Sequence, residues 1–210
     1  MTGIHKLFTT GFKILLVVLL MSFKAQAGVI NSTLDQTPED PDIASSFINT
    51  TYVGDADSGT LTASGLAVRL TNLGVGSSIT DGSFNITADI MANAGTASGS
   101  LEIGGTIASL GFNSGNLLTG TLAMIGGPSM NLNFLFEITG GDAAVLYGGI
   151  GAFAGVIMSG SGFDGVSSFT GDFSGAFATA DTFAVPLPGT IGLMLIGLIA
   201  LGTRKKLTNK

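Results

Sequence analysis

Apolar and polar residues alternate with a period of two along the middle of the chain. Every second residue is apolar from Ser83 to Ile90 and again from Leu132 to Thr139, and the segment Phe169–Phe177 places three Phe and two Gly residues on one side. Successive side chains of a strand point to opposite faces of a sheet. The pattern therefore predicts antiparallel strands with one buried face and one solvated face.

Five further apolar stretches extend this pattern and are separated by residues typical of turns, such as Asp81-Gly82 and Gly140-Gly141. They are Leu61–Leu70, Ser100–Leu110, Asn116–Ile125, Ala143–Tyr147 and Phe153–Ser159. About eight short strands predict an all-β fold, either a single antiparallel β-sandwich or a meander barrel. Residues 31–50 are predicted to be a loop or an N-terminal arm.

The N-terminal 27 residues have the pattern of a signal peptide. A positive region with His5, Lys6 and Lys13 precedes the apolar stretch Ile14–Met21. A small-residue cleavage site follows, with Ala25, Ala27 and a cut before Gly28. We expect a signal helix over 1–27 that signal peptidase removes; the alternative is an uncleaved N-terminal anchor.

The C-terminal residues 185–210 have the pattern of a membrane tail. A proline motif at 185–188 precedes an uncharged stretch, 189–203, and a basic end, 204–210. An apolar helix satisfies its own backbone polar groups in lipid, and basic residues hold their end in the cytoplasm. From Thr190 onward the helix would rise roughly 21 Å against a bilayer core of about 30 Å, so it must recruit earlier residues or thin the bilayer. A plain C-terminal anchor and a sorting tail both fit.

This tail resembles the PEP-CTERM sorting domain over about residues 185–206. That family has Val-Pro-Glu-Pro, one membrane helix and a basic end, and here Leu187 stands where Glu is usual. The matching positions are Val185, Pro186, Leu187 and Pro188 for the motif, and Arg204, Lys205 and Lys206 for the basic stop. The resemblance implies processing by an exosortase-type membrane protease, lipid contact through the helix, and a link to exopolysaccharide production.

Composition limits what the central domain, 28–184, can do. It contains one basic residue, Arg69, and all fourteen acidic residues, a formal charge of −13. Nucleic-acid binding is excluded because it requires clustered Lys and Arg. The chain has no Cys, and its one His lies in the signal peptide. His- and Cys-based catalysis and metal ligation are therefore excluded, and we predict that the protein is not an enzyme.

Carboxylates are the remaining candidates for chemistry. Asp55, Asp57 and Gly59 could form a weak calcium site, as could a second acidic cluster that consists of Glu39, Asp40 and Asp42. Each cluster is more often a solvated loop, so no cofactor is expected beyond weakly bound calcium. Glu102 and Glu137 leave a carboxylate-dependent hydrolase open, although the absence of Trp argues against a sugar platform.

We therefore expect an exported, acidic, non-enzymatic protein. It would be held in the inner membrane as an intermediate, cut near 185–188, and released to the cell surface or the extracellular polysaccharide. One alternative is a surface binding module, such as an adhesin or a carbohydrate- or ice-binding protein. Another is an extracellular hydrolase that uses Glu102 or Glu137.

Overall fold

A computed structural model describes residues 28–29, 40–91, 96–127, 131–160 and 169–185. The predicted signal helix and the predicted C-terminal membrane helix lie outside these ranges. Within the described ranges, no helix has the length and apolar character needed to span a membrane.

The described chain is almost entirely β-strand. The strands are β1 Gly28–Val29, β2 Asp42–Gly54, β3 Ser58–Asn72, β4 Val75–Ser78, β5 Thr80–Met91, β6 Thr96–Ile107, β7 Phe112–Gly126, β8 Asn131–Gly140, β9 Phe153–Gly160 and β10 Phe173–Val185. Two short 3₁₀ helices, Ala108–Leu110 and Asp142–Tyr147, connect neighbouring strands.

Eight of these strands close into an antiparallel up-and-down barrel. Around the barrel the order is β2, β3, β5, β6, β7, β8, β9 and β10, and each strand is hydrogen-bonded to the one after it in this order. β10 pairs with β2 and so closes the barrel. β4 forms a hairpin with β3, and β1 runs parallel to β7, with Gly28 opposite Met124. The predicted all-β class is confirmed, and of the two predicted arrangements the meander barrel is present and the sandwich is wrong. Closure leaves none of the eight strands with an open edge.

Apolar side chains fill the interior of the barrel. The apolar residues at alternating positions of β5 and β8 all point inward, as the sequence pattern predicted. The largest fully buried side chains are Tyr52, Phe84, Phe134, Phe136, Ile43, Ile48, Leu61, Leu70, Ile86, Ile90, Leu101 and Ile103. Burying each contributes about 1.5–3 kcal/mol relative to leaving it in water.

β2 corrects the part of the predicted loop or arm at 31–50 that the structure describes, because residues from 42 onward form a strand, while 31–39 lie outside the described ranges. Its inward positions include Ser45 and Thr50, both buried, so the expected apolar alternation is weakened. The pairing with β3 also jumps from Ser46 to Asn49, which inserts a bulge and breaks the period of two. Two polar core residues and this bulge therefore obscure the strand pattern of β2 in the sequence.

The segment Ala143–Tyr147, predicted to be a strand, belongs instead to the 3₁₀ helix Asp142–Tyr147. Gly141 and Gly148 flank this helix with φ of 106° and 100°. Tyr147 is buried, and its hydroxyl donates a hydrogen bond to the Thr182 carbonyl oxygen at 2.8 Å. A short apolar run between glycines has too few residues for its period to distinguish strand from helix.

The predicted strand Phe169–Phe177 is shifted along the chain. Phe169 lies in a turn, and β10 begins only at Phe173. The Tyr52 ring packs against Phe169 and Phe173, with ring centroids 5.1 and 5.8 Å apart. The Phe residues at this end therefore form an aromatic cluster with β2, and the strand continues to Val185.

Candidate functional site

Polar side chains form ordered rows on the outside of the barrel from β2 to β7. One row crosses five neighbouring strands through residues that all carry a hydroxyl group, and we call it the hydroxyl row: Thr51, Thr62, Thr87, Ser100 and Thr121. A parallel row contains Asn49, Ser64, Asn85, Glu102 and Thr119. Adjacent strands are about 4.8 Å apart. We call these two rows the polar face.

Cross-strand hydrogen bonds order part of this surface. The hydroxyl oxygens of Thr51 and Thr62 lie 2.6 Å apart. Beside the rows, the Thr60 hydroxyl donates to the Asp89 carboxylate at 2.7 Å. Because the side chains are exposed or half-buried and partly preorganised, their remaining hydrogen-bonding capacity faces solvent or a ligand.

An exposed aromatic side chain stands at one end of the polar face. Phe47 is 74% exposed and has a φ of 54°, in the left-handed region. That conformation costs an L-residue on the order of 1–2 kcal/mol. Its side chain borders an open groove of about 640 Å³, which we call the Phe47 groove and which is also lined by Ser159, Gly160, Ala178 and Thr179.

The bulge in β2 explains why Phe47 points outward. Phe47 and Ile48 are both inserted between the pairs formed by Ser46 and Asn49 with β3, and Ile48 is fully buried. Gly65 faces this bulge, and a Cβ there would lie 2.8 Å from the Ser46 carbonyl oxygen. The absent side chain of Gly65 therefore gives the bulge the space it needs.

The groove floor contains two hydroxyl groups. Thr179 of β10 pairs with Ser159 of β9. Their hydroxyl oxygens are 3.4 Å apart, a long and weak contact. Both groups therefore keep most of their capacity to bond a ligand.

Two carboxylates lie close together where β2 meets β10. Burial and the charges of Asp181 and Asp40 raise the pKa of Asp42, Arg69 opposes them, and the resulting pKa is about 6. Burial also raises the pKa of Asp181, and Arg69 lowers it. This cluster is therefore sensitive to mildly acidic pH.

Three outward positions on β8, β9 and β10 differ from those of the polar face because their side chains are buried. Asn133, Ile157 and Phe183 are nearly completely buried, and we call these three residues the covered face. A Cβ on Gly155 would lie 2.8 Å from a carbon of the Phe183 ring, so this ring lies directly over the glycine. These three side chains therefore have almost no surface exposed to solvent.

The first predicted calcium cluster is a hairpin turn between β2 and β3. The Asp55 carboxylate accepts hydrogen bonds from the backbone N–H groups of Asp57 at 2.9 Å and Ser58 at 3.0 Å. These bonds lower the pKa of Asp55. Gly59 lies beneath the Tyr52 ring. One oxygen of this carboxylate thus stabilises the turn.

The second acidic cluster is divided. The Asp40 carboxylate accepts a hydrogen bond from the Gly74 N–H at 2.6 Å, Asp42 begins β2, and Glu39 lies outside the described residues. Across the described part of the chain, no three His, Cys, Asp or Glu side chains are grouped to hold a metal ion. Calcium binding stays a prediction.

Glu102 and Glu137 lie on the two strands that flank β7, and the hydrolase alternative that names them stays a prediction. Glu102 lies opposite Thr119 and Glu137 opposite Thr121, so β7 separates them and their positions differ by two residues along that strand. Strand spacing and rise place their Cα atoms about 12 Å apart. Both side chains are exposed on the outside of the barrel.

The structure places only two of the predicted processing residues. Gly28 begins β1, and Val185 ends β10 opposite Phe153. The other predicted processing residues lie outside the described ranges: Ala25, Ala27, Pro186, Leu187, Pro188, Arg204, Lys205 and Lys206. The cleavage and sorting assignments stay predictions.

Comparisons with known proteins give no relative. No protein-family model, no curated protein and no solved structure matches this chain.

Phe47 and the hydroxyl row were missed by sequence reasoning. Two large apolar residues in succession, Phe47-Ile48, within a polar stretch are a signal of a bulge that turns one of them outward. The hydroxyl row has no such local signal, because it depends on the register of five strands.

Proposed function

We propose that this chain is an exported, non-enzymatic protein of the cell surface that associates with exopolysaccharide. An exosortase-type membrane protease cuts its tail near 185–188 and releases it from the inner membrane. The single observation that supports polysaccharide association best is the hydroxyl row, in which five strands present Thr or Ser side chains in register.

The chemistry of this row suits a polysaccharide. Sugars offer many hydroxyl groups at repeating intervals, and one hydrogen bond contributes only about 0.5–1.5 kcal/mol net. A row of Thr and Ser hydroxyls at about 4.8 Å spacing can form several such bonds with one chain. Many weak contacts along a long ligand raise the total affinity.

The positions of the barrel ends support the sorting part of the proposal. The last strand ends at Val185, the first residue of the predicted motif. In the sequence the proline motif begins at this residue, and Pro186 and Pro188 favour an extended backbone. A protease at the membrane can bind such an extended segment.

Co-sedimentation of the full chain, in detergent, with exopolysaccharide purified from the producing cells tests the association. The triple variant Thr62→Val, Thr87→Val and Thr121→Val is expected to bind at least tenfold more weakly, because it keeps side-chain volume and removes three hydroxyls. Thr170→Val, in an exposed turn, is the matched control and should bind normally. Equal binding by the triple variant would refute a role for the hydroxyl row.

The mass of the protein made with and without an exosortase tests the sorting. A product ending near 185–188, found outside the cell only when the enzyme is present, supports the proposal. A product retaining Lys210 in the inner membrane of both hosts contradicts it.

A further inference from the structure

We propose that the Phe47 groove binds one ring of a neutral sugar chain. This inference rests on the proposed association with polysaccharide and names the ligand class and the residues of one subsite. Phe47 would stack against the ring, while Ser159 and Thr179 would bond its hydroxyl groups.

The exposure of Phe47 is not required by packing of the barrel. Ile48, its neighbour in the bulge, fills the interior position and is fully buried. Phe47 is left 74% exposed in a left-handed backbone conformation. A bulky residue held in this way is uncommon and is typical of a functional position.

The lining of the groove matches the two chemical sides of a sugar ring. One side of a pyranose ring presents C–H groups, which are attracted to the negative face of an aromatic ring. Its edge presents hydroxyls, for which Thr179 and Ser159 provide neighbouring partners. The groove volume of about 640 Å³ lies within the range of small-ligand sites, about 300–1,000 Å³.

Charge favours a neutral sugar over an acidic one. Asp181 lies on the same side of β10 as Thr179, two residues farther along the strand. The domain 28–184 carries a formal charge of −13 with Arg69 as its one basic residue. A uronic acid would therefore be repelled as it approached the groove.

Phe47, which lines the groove, also lies beside the polar face. Phe47 precedes Asn49 and Thr51 on β2, and these two residues begin the two polar rows. A sugar chain with one ring at Phe47 can therefore extend over the neighbouring strands.

The absence of Trp from the chain makes a direct test practical. Phe47→Trp introduces a unique fluorophore into the groove, and Val145→Trp places one at a residue that is 71% exposed outside the polar face, as a control. The full-length variants in detergent are titrated with neutral hexasaccharides of glucose, mannose, galactose and N-acetylglucosamine, and with a uronic acid hexasaccharide.

We expect at least one neutral hexasaccharide to produce a saturable blue shift in Phe47→Trp and none in Val145→Trp. In calorimetry without an introduced Trp, Phe47→Ala should bind that sugar at least tenfold more weakly than the parent chain. Its melting temperature should be unchanged. No response to any neutral sugar, or a stronger response to the uronic acid, overturns the proposal.

The two proposals fail separately. If the parent chain co-sediments with exopolysaccharide but Phe47→Trp gives no neutral-sugar response, the groove assignment alone is overturned. If the parent chain does not co-sediment, the proposed polysaccharide association is overturned.

Discussion

Two patches on the outside of the barrel, the polar face and the covered face, enclose the same interior but differ in exposure. On the polar face, outward residues such as Thr62, Thr87 and Glu102 are exposed. On the covered face, Ile157 and Phe183 point outward and are nevertheless buried. The inward-facing residues of the strands therefore determine the fold here, while the outward-facing residues determine which surface is available for binding.

Truncating a residue of the covered face should give the largest effect. Phe183→Ala removes a ring that is 5% exposed and lies over Gly155, so we expect a loss of about 3 kcal/mol in the free energy of unfolding. Thr87→Ala on the polar face should change it by less than about 0.5 kcal/mol. Urea denaturation measures both, and similar losses would remove the distinction between the two faces.

Adding a methyl group at Gly65 should disturb the boundary between the two faces. A Cβ there would lie 2.8 Å from the Ser46 carbonyl oxygen and 2.9 Å from the Ile48 Cα, so Gly65→Ala should cost about 1–3 kcal/mol. It should also alter the Phe47→Trp emission, because the bulge must shift. Gly171→Ala, with no atom within 4 Å of the added Cβ, is the control. Normal stability and emission in Gly65→Ala would show that the bulge does not depend on this glycine.

The acidic cluster should make stability depend on pH. Asp42 binds its proton more tightly in the folded chain, with a pKa of about 6 against an ordinary 3.8. The folded state therefore binds more protons between these values, and stability falls as pH rises from about 4 to 6. Because Asp42 is partly exposed, we expect this change in the free energy of unfolding to be only about 1 kcal/mol.

Thermal unfolding of Asp42→Asn from pH 4 to 7 measures this contribution. The variant should lose much of the pH dependence and be more stable than the parent at pH 7. Asp57→Asn, in an exposed turn, should keep the parent profile. If Asp42→Asn shows the same pH dependence of stability as the parent chain, other groups are responsible for that dependence.

The smallest effect is expected within the hydroxyl row. Thr51 and Thr62 are directly opposite, and such a cross-strand pair contributes about 0.2–1 kcal/mol. A double-mutant cycle with Thr51→Val and Thr62→Val measures the coupling. A coupling well above this range would mean that the row stabilises the barrel and is not mainly a binding surface.

Much of the fold could be predicted because several strands alternate regularly. Phe84, Ile86 and Ile90 point inward as the pattern required. β2 could not be predicted because Ser45 and Thr50 occupy inward positions and its bulge shifts the period. The choice between barrel and sandwich depended on the pairing of β10 with β2, which no local pattern encodes.

The candidate site was less predictable than the fold. Polar residues at alternating positions indicate a solvated face, but only the register of five strands brings Thr51, Thr87 and Thr121 into one row. The exposure of Phe47 depends on a bulge whose space comes from Gly65 on another strand. Both features arise from pairing between distant segments.

Hydroxyl-radical footprinting of the full chain, with and without purified exopolysaccharide, tests directly whether the polar face and the Phe47 groove bind polysaccharide. We expect protection of Phe47 and of residues along β3, β5 and β6 on the polar face, with no change at Val145, which is exposed outside it. Protection confined to regions away from the polar face and the Phe47 groove, or no protection at a saturating polysaccharide concentration, would contradict it.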